Sequence, residues 1–159
     1  MRQFTSMFVL ILGFCQITLW AQERPADFLS PEFHKGRREA LRKLMPANSV
    51  AVFFSNPTRN RSNDVDYVYP QDPNFYYLTG HKEPHSALIL FKEPQKHGKA
   101  TIGEIIFVRQ KNALWELYEG ERLGKEKARN VLGIEMAFEG PDFISYNLNF
   151  SKFDKVLFF

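Results

Sequence analysis

Apolar residues follow two rhythms along this chain. Val50 to Phe54, Ser86 to Phe91 and Val156 to Phe159 are short runs rich in β-branched and aromatic side chains, too brief for helices, and predict buried strands. Glu104 to Arg109 reads as a further strand. Between it and Phe91, Lys92 to Gly103 carries Pro, Gly, His and Lys and predicts an exposed hairpin-like turn. Helical spacing appears elsewhere. Ser30-Pro31-Glu32 starts a helix with Ser30 as cap and Pro31 in the first turn, and Phe33, Ala40, Leu41 and Leu44 continue it until Pro46 stops it. Asn112 to Gly120 predicts a short helix bounded by glycine. Lys125 to Leu132 predicts an amphipathic one ended by Gly133, and Pro141 to Asn149 a last one after an extended Ile134 to Phe138. Strands alternating with helices define an α/β fold, a mixed β-sheet flanked by helices. No internal repeat or low-complexity segment is present.

One stretch keeps neither rhythm. From Asp64 to Pro84 the chain is dense in aromatics and broken by Pro70, Pro73 and Pro84, which excludes one long helix or a central strand and predicts a shaped connection. Tyr67, Tyr69, Phe75, Tyr76 and Tyr77 carry more apolar surface than a solvated loop needs, so several are expected to pack. Gly80 is placed to close the segment with a positive φ.

Composition changes this picture mainly at the start. The 159 residues are 44% hydrophobic and 25% charged, the balance of one globular domain. Residues 1–21 differ in kind: Arg2 is followed by a nearly uncharged run to Trp20 and then Ala21, which reads as a secretory signal peptide, with 22–30 as linker. The run is short and diluted by Thr5, Ser6, Gln16 and Thr18, so a membrane span is not expected after cleavage. Cys15, the single cysteine, lies inside this leader and is preceded by Phe14 rather than a small residue, which argues against lipid attachment. Disulfides are thereby excluded from the mature part. Net charge is +3, and no basic run exceeds Arg37-Arg38, so nucleic-acid binding is not expected.

Candidate chemistry is sparse. His81 and His85 stand four apart, but Pro84 between them prevents the regular helix that would aim both at one metal ion. No nucleophile elbow, P-loop or dinucleotide fingerprint occurs. Lys35, Arg37, Arg38, Arg42 and Lys43 form a basic helix face expected to be solvated. Arg59, Arg61, Asp64 and Asp66 are expected to pair locally on the surface.

The string Tyr67-Val68-Tyr69-Pro70-Gln71-Asp72-Pro73-Asn74-Phe75-Tyr76-Tyr77-Leu78-Thr79-Gly80, with Glu83-Pro84 after it, resembles the N-terminal domain of Xaa-Pro aminopeptidases, the aminopeptidase P branch of the creatinase-like metallopeptidases. Arg37-Arg38-Glu39-Ala40-Leu41 upstream, and Glu116-Leu117-Tyr118-Glu119-Gly120, Arg122-Leu123-Gly124 and Leu132-Gly133 downstream, extend the resemblance over Phe33 to Phe159. It implies a mixed sheet flanked by helices over 31–159. It also implies an enzyme that removes the residue preceding proline from peptides, which the leader in turn marks as exported, periplasmic or secreted. That chemistry belongs to a separate C-terminal catalytic domain, where two Asp, one His and two Glu hold two manganese ions. Those ligand motifs are missing here, so this chain is expected to be inactive alone and to serve homo-oligomer contacts and substrate access. The resemblance places Tyr118 where a bacterial oligomer lends an aromatic wall to a neighbouring subunit's substrate pocket; the competing expectation is that Tyr118 packs in its own domain. Pro70 stands where the family usually has Arg. The apolar strand at the chain's end is expected to be followed by more protein, making this a truncated chain or fragment. A stand-alone binding module that lost catalysis, or the N-terminal domain of a prolidase, are the alternative readings.

Overall fold

The structure, a computed structural model, describes residues 29–159. The expected leader and the linker up to 28 lie outside the described residues. Helix α1, Pro31–Leu44, begins as its sequence directs: the Ser30 hydroxyl accepts from the Phe33 N–H, and Pro31 occupies the first turn. Then follow β1 (Ser49–Phe54), a small hairpin β2 (Asn60–Ser62) and β3 (Val65–Asp66), α2 (Pro73–Thr79), β4 (Ala87–His97) and β5 (Ala100–Val108). After these come α3 (Ala113–Glu119), α4 (Gly124–Leu132), β6 (Met136–Glu139), α5 (Asp142–Ser145), a 3-10 turn (Phe150–Lys152) and β7 (Lys155–Phe158).

Five strands form one mixed sheet in the order β6-β5-β4-β1-β7, antiparallel at its centre and parallel at both flanks. Alternation along the central strands divides the core. Ala51, Phe53, Leu88, Leu90, Ile106 and Val108 face α1, α2 and α4, while Val50, Ile89, Phe91, Ile105 and Phe107 face the segment that runs from β6 to β7. Burial on both faces explains why these strands read as unbroken apolar runs.

The β4–β5 arm is longer than its composition predicts. Pairing continues through His97↔Ala100, leaving only Gly98 and Lys99 as the turn, because cross-strand bonds override the weak strand preference of these residues. Pro94 is accommodated where the register slips between Leu90 and Gln95. The helix expected over Pro141 to Asn149 shrinks to Asp142–Ser145, since Asn149 instead caps the 3-10 turn by accepting from the Ser151 N–H. The local charge pairing expected of Arg59, Arg61, Asp64 and Asp66 gives way to the Asn60 side-chain amide, which donates to Asn63, Val65 and Asp66 across the β2–β3 hairpin.

The basic face of α1 is only partly solvated, which corrects the expectation. His34, Arg38, Leu41 and Met45 form its inward stripe, and Arg38 is 0% exposed. Its guanidinium makes a two-pronged contact with the buried Glu104 carboxylate at 2.9 Å on each side and donates to Leu78 O and Gly133 O at 2.8 Å. Arg42 adds a third cation-side contact to Glu104 at 3.1 Å. One arginine thus joins α1, the end of α2, β5 and the end of α4, and every donor that is used removes part of the penalty for burying charge.

Candidate functional site

The Asp64–Pro84 stretch contains a seven-residue helix that its prolines conceal. Asp72 accepts from the Phe75 N–H at 2.8 Å, Pro73 starts α2, and Gly80 ends it at φ 69. A Cβ on Gly80 would stand 2.7 Å from the His34 ring, so glycine is required there by space as well as by backbone angle. Of the five aromatics expected to pack, only Phe75 is buried. Tyr69 and Tyr76 are half-buried, while Tyr67 and Tyr77 remain exposed, so this segment presents aromatic surface rather than hiding it.

Side-chain hydrogen bonds make the rest of the stretch rigid. Tyr69 Oη lies 3.0 Å from Asn56 O and 2.9 Å from Gln71 Oε1, and burial raises its pKa. Gln71 Nε2 donates to both His81 O and Glu83 O at 3.1 Å. His81 is buried with Nε2 3.1 Å from Ser86 Oγ; burial first, and the Arg109 charge second, lower its pKa to about 4 and keep it neutral near pH 7. His85 instead adopts φ 54 and turns its Nε2 to Thr58 Oγ1 at 3.0 Å. The two histidines therefore meet different partners and share no site.

Glu83 is the hub that connects this stretch to the next elements. Its carboxylate accepts from the Leu123 N–H at 2.5 Å and pairs with Arg109 Nε at 3.3 Å. Arg109 also reaches Glu119 at 2.8 Å, and Arg122 reaches the same Glu119 oxygen at 2.9 Å while donating to Gln110 O. Arg109, Glu119 and Arg122, with His85, border a cleft of about 390 Å3. Hydrogen bonding to Arg122, with the charges of both arginines, lowers the Glu119 pKa.

Helix α3 lies beside this hub. Asn112 caps it by accepting from the Leu114 and Trp115 N–H groups at 3.1 Å. None of its residues is buried; Leu114, Trp115, Leu117 and Tyr118 are 62%, 51%, 80% and 79% exposed. Tyr118 makes little contact among the described residues. A second apolar surface lies across the molecule, a groove of about 480 Å3 bordered by Leu41, Leu44, Phe53, Tyr77 and Phe159. The described residues contain no group of three or more His, Cys, Asp or Glu able to hold a metal ion, and no helix among them is long and apolar enough to cross a membrane.

Sequence reasoning named Arg38, Glu119 and Arg122 within motifs but did not find the Arg38–Glu104 pair or the Arg109–Glu119–Arg122 cluster. Glu104 had left a signal: it is a carboxylate at an inward position of an otherwise apolar strand, which requires a partner. Arg109 and Glu83 had left none, because only folding brings residues 26 apart in the chain together.

A mixed sheet flanked by helices places the molecule in a class, the α/β domain found in solved aminopeptidase P structures. Escherichia coli aminopeptidase P, solved with the inhibitor Pro-Leu, superposes with a TM-score of 0.72 at 29% identity, covering 82% of this chain and 29% of that one. Pseudomonas aeruginosa aminopeptidase PepP superposes with a TM-score of 0.65 at 32% identity over 74% of this chain and 25% of that one. Residues 34–155 match the family model for the aminopeptidase P N-terminal domain, and the chain belongs to that family. Haemophilus influenzae Xaa-Pro aminopeptidase is 38% identical over 112 residues, 70% of this chain and 25% of that protein. Human Xaa-Pro aminopeptidase 3 is 36% identical over 96 residues, 60% of this chain and 19% of that protein. The chain spans about a quarter or less of the length of these relatives.

Proposed function

We propose that this chain is the non-catalytic N-terminal domain of an exported Xaa-Pro aminopeptidase, serving contacts between copies and the admission of proline-containing peptides to a metal site carried by another domain. The observation that carries the reading is α3, whose four large apolar side chains face solvent although polar bonds fix the helix beside the family's own sequence stretch. A surface of that kind on a folded domain needs a partner. Tyr118 serves as a flat wall that covers a proline ring, in a pocket completed by a neighbouring copy, without demanding a hydrogen bond from it.

The described residues offer no group that fits a pair of manganese ions. Each histidine contacts a protein group: His34 with Tyr77 O, His81 with Ser86, His85 with Thr58 and His97 with Tyr146. Metal-dependent hydrolysis is accordingly assigned to the catalytic domain that the relatives' greater length accommodates. The test is an assay of the 159-residue chain with manganese and an Xaa-Pro peptide, together with sequencing of the gene through codon 159. No turnover, and a downstream frame carrying two Asp, one His and two Glu, are the expected results. Turnover by this chain alone would overturn the proposal.

A further inference from the structure

A helix of seven residues is too short to hold itself in water, and α3 receives no help from the core because none of its side chains is buried. Something else must fix it. At its last residue, Glu119 gathers two arginines from outside the helix, Arg109 at 2.8 Å and Arg122 at 2.9 Å on one carboxylate oxygen. Arg109 passes the connection to Glu83, whose carboxylate also holds the Leu123 N–H and whose backbone carbonyl is held by Gln71. The location is telling, because an acidic residue in the last turn opposes the helix dipole and is locally unfavourable. Its cost is offset by the contacts with Arg109, from before the helix, and Arg122, from just after it. Two buried polar atoms without a hydrogen-bond partner among the described residues, Glu116 Oε1 and Arg122 Nε, belong to the same seat, the first lying 3.8 Å from Lys111 Nζ.

We propose that Glu119 is a positioning residue: by drawing Arg109 and Arg122 onto one carboxylate it fixes the direction in which α3 presents Trp115 and Tyr118. The purpose of that presentation rests on the function proposed above, whereas the hold itself is measurable without peptide, metal or a second copy. The clamp is partly solvated, with Glu119 39% exposed at its side chain, so it is also sensitive to salt.

The experiment is hydrogen exchange on the 159-residue chain, comparing wild type, Glu119→Gln and a neighbouring control, Glu121→Gln, whose own partners are Lys111 and Lys127. Glu119→Gln is expected to speed exchange over 113–120 by about fivefold, with the sheet amides unchanged. About 1 M salt reproduces this in wild type and adds little in the variant. In a Trp20→Phe background Trp115 is the sole tryptophan, and its fluorescence anisotropy is expected to fall in Glu119→Gln at an unchanged unfolding midpoint. Unchanged exchange over α3 in both the variant and high salt would overturn the proposal. So would equal loosening by Glu121→Gln, or a lowered midpoint with unchanged Trp115 anisotropy, which marks a merely structural role. An intact clamp in a chain whose Tyr118 proves irrelevant to assembly and peptide binding leaves this inference standing and removes only the function above.

Discussion

Two arginine–glutamate constellations hold this domain together, and they differ in everything except chemistry. The Arg38–Glu104 pair is 0% and 4% exposed at its side chains and ties four elements around one guanidinium. The Arg109–Glu119–Arg122 cluster is 17%, 39% and 13% exposed and holds one short helix with no buried residue. The first sits where water cannot replace a lost partner, so breaking it strands a charge. The second sits where water and salt compete, so breaking it frees a helix and little else. Identical residue types thus make a core lock in one place and an adjustable mount in the other. Apolar packing follows the same division, with the sheet faces filled around the lock while the aromatic and aliphatic side chains of α3 stand in solvent.

The sharpest way to break the contrast is Arg38→Ala, which leaves the buried Glu104 with Arg42 as its remaining partner and empties the donors to Leu78 O and Gly133 O, and is expected to cost about 3 kcal/mol of stability. Urea denaturation reads it, and a loss under about 1 kcal/mol would place the lock in the same category as the mount. The double variant Arg38→Met with Glu104→Leu should recover most of that loss, since both charges leave together.

A second test uses His81, buried on the rigid side. Its native pKa near 4 lies below the ordinary 6.5, so the unfolded chain binds the proton more tightly. Stability from this group is complete above 6.5 and is lost as pH falls toward 4, by about 3 kcal/mol in all. Denaturation midpoints across that window should decline in wild type and flatten by one proton's worth in His81→Gln. An unchanged slope would show that His81 is not held neutral.

Gly80→Ala probes the join between α2 and α1. The positive φ and the His34 ring at 2.7 Å predict a loss of about 1–3 kcal/mol, read as a lowered thermal midpoint. The smallest effects are expected on the other side of the comparison: Tyr118→Ala should change stability by less than about 0.5 kcal/mol and Trp115→Ala by less than about 1 kcal/mol, because these side chains stay 79% and 51% exposed on folding. A larger loss from either would mean that α3 is packed and not merely mounted.

Much of the fold was legible before folding was considered. Val50 to Phe54 and Ala87 to Phe91 announce buried strands, and Ser30-Pro31 and Gly133 announce where helices start and stop, because each signal is a property of adjacent residues. The α2 helix was hidden because Pro73, which reads as a breaker, serves as the first residue of a helix capped by Asp72. The β4–β5 arm was underestimated because ladder bonds, not local preference, extend it. In the candidate site, the motif around Tyr118 was visible as a string, but the cluster that mounts it was not.

By itself, then, the sequence determined the alternation of strands and helices, the family likeness and the existence of a proline-broken aromatic connection, all of which depend on neighbours along the chain. Only the tertiary structure decided that Arg38 is a core residue and not a surface one, that Glu83 meets Arg109, and that Tyr118 faces water. The reason is that burial and charge pairing are set by distances in space, and nothing in the spacing of residues 38 and 104, or 83 and 109, encodes those distances.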